Sequence, residues 1–315
     1  MPSSNLRALR DRLDRLYRTF DHVESATDPV HIVRRYRSPD DREIVGFCAA
    51  GLAFGRVASV LASIEALLAV MGPSPAAFVR RFDAATDGRR LRPVGHRWIR
   101  GRDLVALMLI LRCMLQEAGS IEQFFIAGDD PASPDIGPAL DAFSARALQT
   151  DLRPAYGSRG AGPFRLRQGF GGLAEARSAK AVGPAGTRPG VCYFFPRPSA
   201  GSACKRLNLF LRWMVRQDAI DLGVWSRVSP ARLIVPLDTH VIRLGRCLCL
   251  TRYATPGWKM AAEITAALRA LDPADPVRYD FSLCHVGMMN ACGYGRAQRD
   301  SQCPLRGLCR PRRSG

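Results

Sequence analysis

Two residues and one cysteine run are placed to do chemistry. Lys205 follows the turn Gly201-Ser202 in SAGSACKRLNLFLRWMVR, residues 199–216, where positions 203, 207, 210, 211 and 214 mark one buried helix face. With Ser202 as N-cap, Lys205 falls in the first helical turn, which favours acids over cations. A local rule broken at one residue points to function. An amine at the positive end of a helix dipole, beside Arg206, is a candidate nucleophile; a surface lysine holding a phosphate or water is the plain alternative. Thirty-three residues on, Asp238 in LIVPLDTHVIRLGRCLCL sits where an N-cap belongs, with Leu237 and Ile242 as its staple. Its plain reading is a cap and nothing more. Cys292, Cys303 and Cys309 close the chain with ten and five residues between them. In a reducing compartment such cysteines are packing residues, metal ligands or redox groups rather than a disulfide frame.

The elements that must position these residues read as helix. Leu6, Leu9, Leu13, Leu16 and Phe20 recur at helical spacing, residues 42–71 form a long apolar-faced helix ending at Gly72-Pro73, and Asp103 begins another through Leu115. No segment alternates convincingly as a strand. The fold class is all-α. Residues 153–200 break the pattern with nine Gly and six Pro, the composition of a mobile loop or an inter-lobe connection. From residue 153 to 216 there are twelve Lys or Arg and one acid, Glu175, which suits phosphate contact or a solvated insert. The expected organisation is a helical lobe (1–152), a Gly/Pro/Arg-rich loop (153–198), a second helical lobe carrying Lys205 and Asp238 (199–291) and a basic cysteine-containing end (292–315).

Composition narrows the partner. With 46 Lys and Arg against 28 Asp and Glu, the net charge is +18, and a surface this basic concentrates polyanions, nucleic acid first. Arg-rich usage reflecting genomic base composition is the alternative. No apolar run approaches the roughly 20 residues of a membrane span, and the first twenty residues lack the apolar core of a secretory signal. A cytoplasmic monomer without membrane contact, nucleoid-associated through its charge, is the expectation.

Together these residues resemble the helix-hairpin-helix DNA glycosylase superfamily. GSACK (201–205) matches its hairpin turn and nucleophile position, and LDTHV (237–241) matches the segment bearing its essential aspartate. The spacing from Lys205 to Asp238 is similar to that of the archaeal 8-oxoguanine glycosylases. Most of the chain, including DREIVGFCAAGLAFGRV and YDFSLCHVGMMNACGYG, also looks like a bacterial branch of the superfamily without a settled function. The resemblance implies a two-lobed all-α fold and a bifunctional glycosylase and abasic-site lyase. Lys205 would form an imine with the sugar, and Asp238 would stabilise the cationic sugar. Gly201, Ser202, Ala203, Arg206 and Arg212 would contact DNA, and Phe54 and Arg56 would serve as pocket or wedge residues. Ala203 departs from the pattern, standing where the hairpin turn has its second Gly.

Iron–sulfur members of the superfamily end in four cysteines. Cys292, Cys303 and Cys309 align with three of these, and Asp300 stands in place of another, so a 4Fe-4S cluster is implied, with Asp300 or Cys284 as fourth ligand. Cys284 qualifies only if its helix breaks, since eight helical residues put it about 12 Å from Cys292. Zinc and a metal-free vestige are the alternatives. Cys48, Cys113, Cys247 and Cys249 read as packing residues, and Arg306, Arg310, Arg312 and Arg313 surround the motif as a basic loop that could track a DNA backbone. The rival function is a non-catalytic protein binding distorted or branched DNA; RNA binding is a third reading.

Overall fold

The helical spacing of the first twenty residues becomes α1 (Ser3–Phe20), whose Leu9 and Leu13 are buried. The computed structural model describes residues 3–22, 29–157, 190–288 and 303–309. After α1 come α2 (Val30–Val33), α3 (Pro39–Leu52), α4 (Val57–Met71), α5 (Pro75–Arg81), α6 (Asp87–Leu91), α7 (Gly101–Ala118), α8 (Ile121–Ile126), α9 (Gly137–Ala147) and α10 (Arg153–Tyr156). Beyond two short 3-10 turns, Gly190–Tyr193 and Pro198–Ala200, lie α11 (Lys205–Val215), α12 (Thr239–Cys247), α13 (Trp258–Arg269) and α14 (Asp280–Met288). Among the described residues only two isolated β-bridges occur, so the fold is all-α as expected. No single helix among them is long and apolar enough to cross a membrane. Residues 158–189 of the expected loop lie outside the described residues, as do Cys292 and Asp300.

The single helix expected over 42–71 is two helices. The amide of Phe54 turns back to the Leu52 carbonyl at 2.7 Å, and Gly55 takes φ +107°, a conformation that L side chains rarely adopt. Apolar residues keep three- and four-residue spacing on both sides of this break, so periodicity alone carried across it. The break matters because it opens the backbone carbonyl of Ala53 and presents Phe54 to neighbouring elements.

The two expected lobes share one core. A single apolar cluster extends from Leu9 to Leu305. At its centre Phe47 of α3 meets Phe210 of α11 edge-on at 5.2 Å and Phe195 at 5.5 Å, and Phe143 of α9 joins them. Glu43 of α3, only 4% exposed, is the polar pin of this core. Its carboxylate accepts the amides of Ile121 and Glu122 at the start of α8 and the indole N–H of Trp225 at 2.6 Å. Burial raises the pKa of this carboxyl while those three donors pull it down. Glu43→Ala leaves three donors unpaired, two of them buried, and should destabilise the protein by about 3 kcal/mol, measured as a lower urea midpoint; Glu43→Gln should recover part of the loss.

Candidate functional site

α11 begins at Lys205 itself. Gly201 takes φ +80°, Ser202 turns its hydroxyl to the Cys204 amide at 3.2 Å, and Cys204 occupies the N-cap position in the left-handed region, φ 49° and ψ 32°. The expected Ser202 cap is therefore corrected: its hydroxyl closes a local turn, and the chain spends two more residues before helix starts. Lys205 is the first helical residue, and no side chain caps α11. A left-handed non-glycine residue costs roughly 1–2 kcal/mol, so the core around the buried Cys204 must hold this turn in place. Ser202 and Ala203 turn inward and are buried, whereas Gly201 is exposed; its carbonyl accepts the Trp258 amide at the start of α13.

Lys205 is half-buried, with Nζ 3.5 Å from the Ala53 carbonyl at the α3–α4 break. Around it four elements assemble an aromatic surface. Phe54 stacks on Trp98 with centroids 4.5 Å apart, Tyr193 packs 5.4 Å from Trp98, and Arg206 lies 5.4 Å over both Phe54 and Tyr193. The tight turn His96–Ile99 supplies Trp98 and docks through His96, whose Nε2 sits 2.7 Å from the Phe54 carbonyl and whose Nδ1 sits 3.0 Å from Ser63 Oγ. A carbonyl only accepts, so Nε2 carries a proton toward it. Arg97 in this turn is left-handed at φ 54° and places its guanidinium 5.4 Å over Trp98. Trp98 Nε1 is buried and has no hydrogen-bond partner among the described residues. Tyr193 is delivered by Asp103, which caps α7 through the Arg100 amide and also holds Gly190 N–H and Tyr156 OH.

Phe54 is thus the half-buried floor of an aromatic stack rather than a protruding wedge, while Arg56 beside it is exposed. Trp98, Tyr193 and Arg97 were missed by sequence reasoning. Trp98 and Arg97 sit on a four-residue turn with no periodicity, and Tyr193 lies inside the Gly/Pro-rich stretch read as a loop; Gly95 before the turn was the available signal.

Asp238 is the N-cap of α12, accepting the Val241 amide at 2.7 Å through Oδ1. Its Oδ2 receives the thiol of Cys284 at 3.1 Å. α14 runs without a break from Cys284 to Met288, and the rest of the stretch toward Cys292, where the helix would have to break for Cys284 to ligate a cluster, lies outside the described residues. No ion pair joins Lys205 to Asp238. They are linked instead through Arg212, two turns along α11 from Lys205. Arg212 is corrected as a DNA contact: it is 3% exposed and bonds Asp221 at 3.1 Å and Asp280 of α14 at 2.5 Å. Arg216 extends the network to Asp218, Asp221 and Asp275.

Cys303 and Cys309 share the turn 303–309, which α1 grips through Arg12 donating to the Pro304 carbonyl at 2.7 Å. Cys303 is buried, and Cys309 Sγ lies 3.6 Å from the Leu305 carbonyl. Among the described residues no three His, Cys, Asp or Glu side chains converge as a metal site. Cys292 and Asp300, the other residues of the expected ligand set, lie outside the described residues.

With this fold and site, the chain belongs to the family described as a protein of unknown function, DUF2400, which matches residues 28–164 and 165–289. No curated protein and no solved structure matches it.

Burial pushes the Asp280 carboxyl from 3.8 up to about 7, with Arg212 opposing and the nearby Asp238 charge adding to the rise. Between those values the folded protein holds a proton that the unfolded chain has released. The stabilisation from this group is therefore full below pH 3.8 and is lost as pH rises through about 7. Stability measured by urea unfolding should show this fall across the window, and Asp280→Asn should flatten it; an unchanged slope in the variant would contradict the assignment.

Proposed function

We propose that the protein is a bifunctional DNA glycosylase and abasic-site lyase of the helix-hairpin-helix type, excising a damaged base in base excision repair. The favoured lesion is an oxidised purine such as 8-oxoguanine. The observation that carries the reading is the placement of the Lys205 amine, half-buried at the first position of an uncapped helix and at the edge of the Phe54–Trp98–Tyr193 surface. Half-exposed aromatic rings with arginine above them suit stacking of a planar base outside the duplex.

In the proposed reaction the C1′–N glycosidic bond breaks as its electron pair leaves with the base, which takes up a proton. Asp238 lowers the barrier by setting a negative charge near the cationic sugar. The neutral Lys205 amine forms a bond to C1′, loses its proton and opens the sugar to an imine. Removal of a C2′ proton then expels the 3′ phosphate by β-elimination. The exposed Gly201 and Arg56, with the half-buried Arg206, are the DNA contacts retained from the sequence reading. In this reading the hairpin would be an abbreviated one, with the 3-10 turn Pro198–Ala200 leading into the turn before α11. The protein would act as a cytoplasmic monomer on chromosomal double-stranded DNA.

Single-turnover assays on a duplex containing 8-oxoguanine test the reading. Wild type should release the base and nick the strand. Lys205→Gln should lose nicking by on the order of 100-fold or more, and Asp238→Asn should lose base release by on the order of 100-fold, both with DNA affinity nearly unchanged. Tight binding of distorted DNA by a wild-type protein without either activity would favour the non-catalytic reading, and preference for an RNA duplex at equal salt would favour the third.

A 4Fe-4S cluster held by Cys292, Cys303, Cys309 and Asp300 is part of the proposal, as an ordering element of the basic end with no step of the chemistry assigned to it. Anaerobically purified protein should contain iron and acid-labile sulfide, both lost in Cys303→Ser; zinc alone, or no metal, would contradict it.

A further inference from the structure

The Asp238 carboxylate is gripped from two sides, and only one grip serves the helix. An N-cap needs one oxygen, which the Val241 amide takes at Oδ1. The bond from Cys284 to Oδ2 at 3.1 Å comes from a different helix, α14, and caps nothing. α14 is brought there closely. A Cβ on Gly287 would lie 2.5 Å from His240 Cβ, so only glycine lets the first turn of α12 approach, and Arg243 of α12 donates to the Gly287 carbonyl. One turn before Cys284, Asp280 faces the same carboxylate electrostatically, with its own charge answered by Arg212.

The choice of a thiol has a physical consequence. A thiol is a weak donor and carries no charge. Lysine or arginine at this place would form an ion pair and cancel the negative charge that a cationic sugar needs, whereas a thiol orients the carboxylate and leaves its charge in place. Oδ2 keeps a lone pair beyond the one the thiol uses.

We infer that Cys284 is a positioning residue for Asp238, fixing the plane of its carboxylate through Oδ2 while leaving its charge unneutralised. The inference rests on the glycosylase reading for the role of Asp238, and it gives Cys284 a task other than metal ligation.

The test compares wild type, Cys284→Ala and Cys284→Ser in single-turnover base release from the 8-oxoguanine duplex, with DNA affinity measured in parallel. It also follows alkylation of Cys284 by iodoacetamide in wild type and Asp238→Asn, read from the mass of the Cys284 peptide. Asparagine caps helices as well as aspartate does, so that variant keeps α12 in place. Cys284→Ala should slow base release on the order of tenfold with Kd within about twofold, and Cys284→Ser, whose hydroxyl donates to the same oxygen, should recover most of the rate. Alkylation should speed up severalfold in Asp238→Asn, where no carboxylate charge opposes the thiolate. Base release at the wild-type rate in Cys284→Ala overturns the inference. So does a Cys284→Ser variant as slow as Cys284→Ala, which would mark the loss as one of packing, and so does alkylation indifferent to Asp238→Asn. Wild type inactive on the duplex overturns the glycosylase reading and the positioning role of Cys284 with it, a result distinct from a loss or retention confined to the variants.

Discussion

Everything at the candidate site hangs on the buried arginine–aspartate lattice at the far end of α11. Arg212 and Arg216 are 3% and 4% exposed, and Asp218 and Asp221 from the segment after α11, Asp275 from the loop before α14 and Asp280 from its start close around them. Charges this deep are tolerable only when paired and hydrogen-bonded, and removing one partner costs about 3–5 kcal/mol. The lattice therefore permits one register between α11 and α14. Lys205 rides at one end of α11, roughly 10 Å along the axis from Arg212. Cys284 rides on α14 one turn beyond Asp280 and holds Asp238. Lys205 and Asp238 are not in contact, yet one interior ion-pair system joins α11, which carries Lys205, to α14, whose Cys284 bonds Asp238.

The same lattice bears on charge. With Asp218, Asp221 and Asp280 withdrawn alongside Arg212 and Arg216, the solvent-facing remainder is more basic than the overall +18. That excess is of the kind that draws a polyanion by long-range attraction. Arg206, Arg97 and Arg56 lie about the aromatic surface beside Lys205, so part of it is concentrated at the candidate site.

Local signals in the sequence made some features legible and left others hidden for physical reasons. The helical class followed from apolar spacing, and Asp238 as N-cap followed from its residue type just ahead of an amphipathic run, because both depend on neighbours within a few positions. The α3–α4 break was hidden because two helices joined by a tight turn preserve the period, and Ser202 looked like a cap because the left-handed Cys204 cannot be read from residue type. Arg212 looked like a DNA contact from composition, whereas its fate is set by Asp221 and Asp280, the latter 68 residues away. The pairing of Cys284 with Asp238 and the stacking of Trp98 on Phe54 likewise join residues more than forty positions apart, where no local rule applies.

The central claim is that the Lys205 amine bonds to the sugar C1′. Borohydride reduction of the protein mixed with a duplex carrying a preformed abasic site, followed by peptide mass mapping, tests it most directly because it needs no choice of lesion. The account predicts a stable protein–DNA adduct carried on the peptide containing Lys205 and absent in Lys205→Gln. No adduct, or an adduct on another amine that survives the substitution, would contradict it.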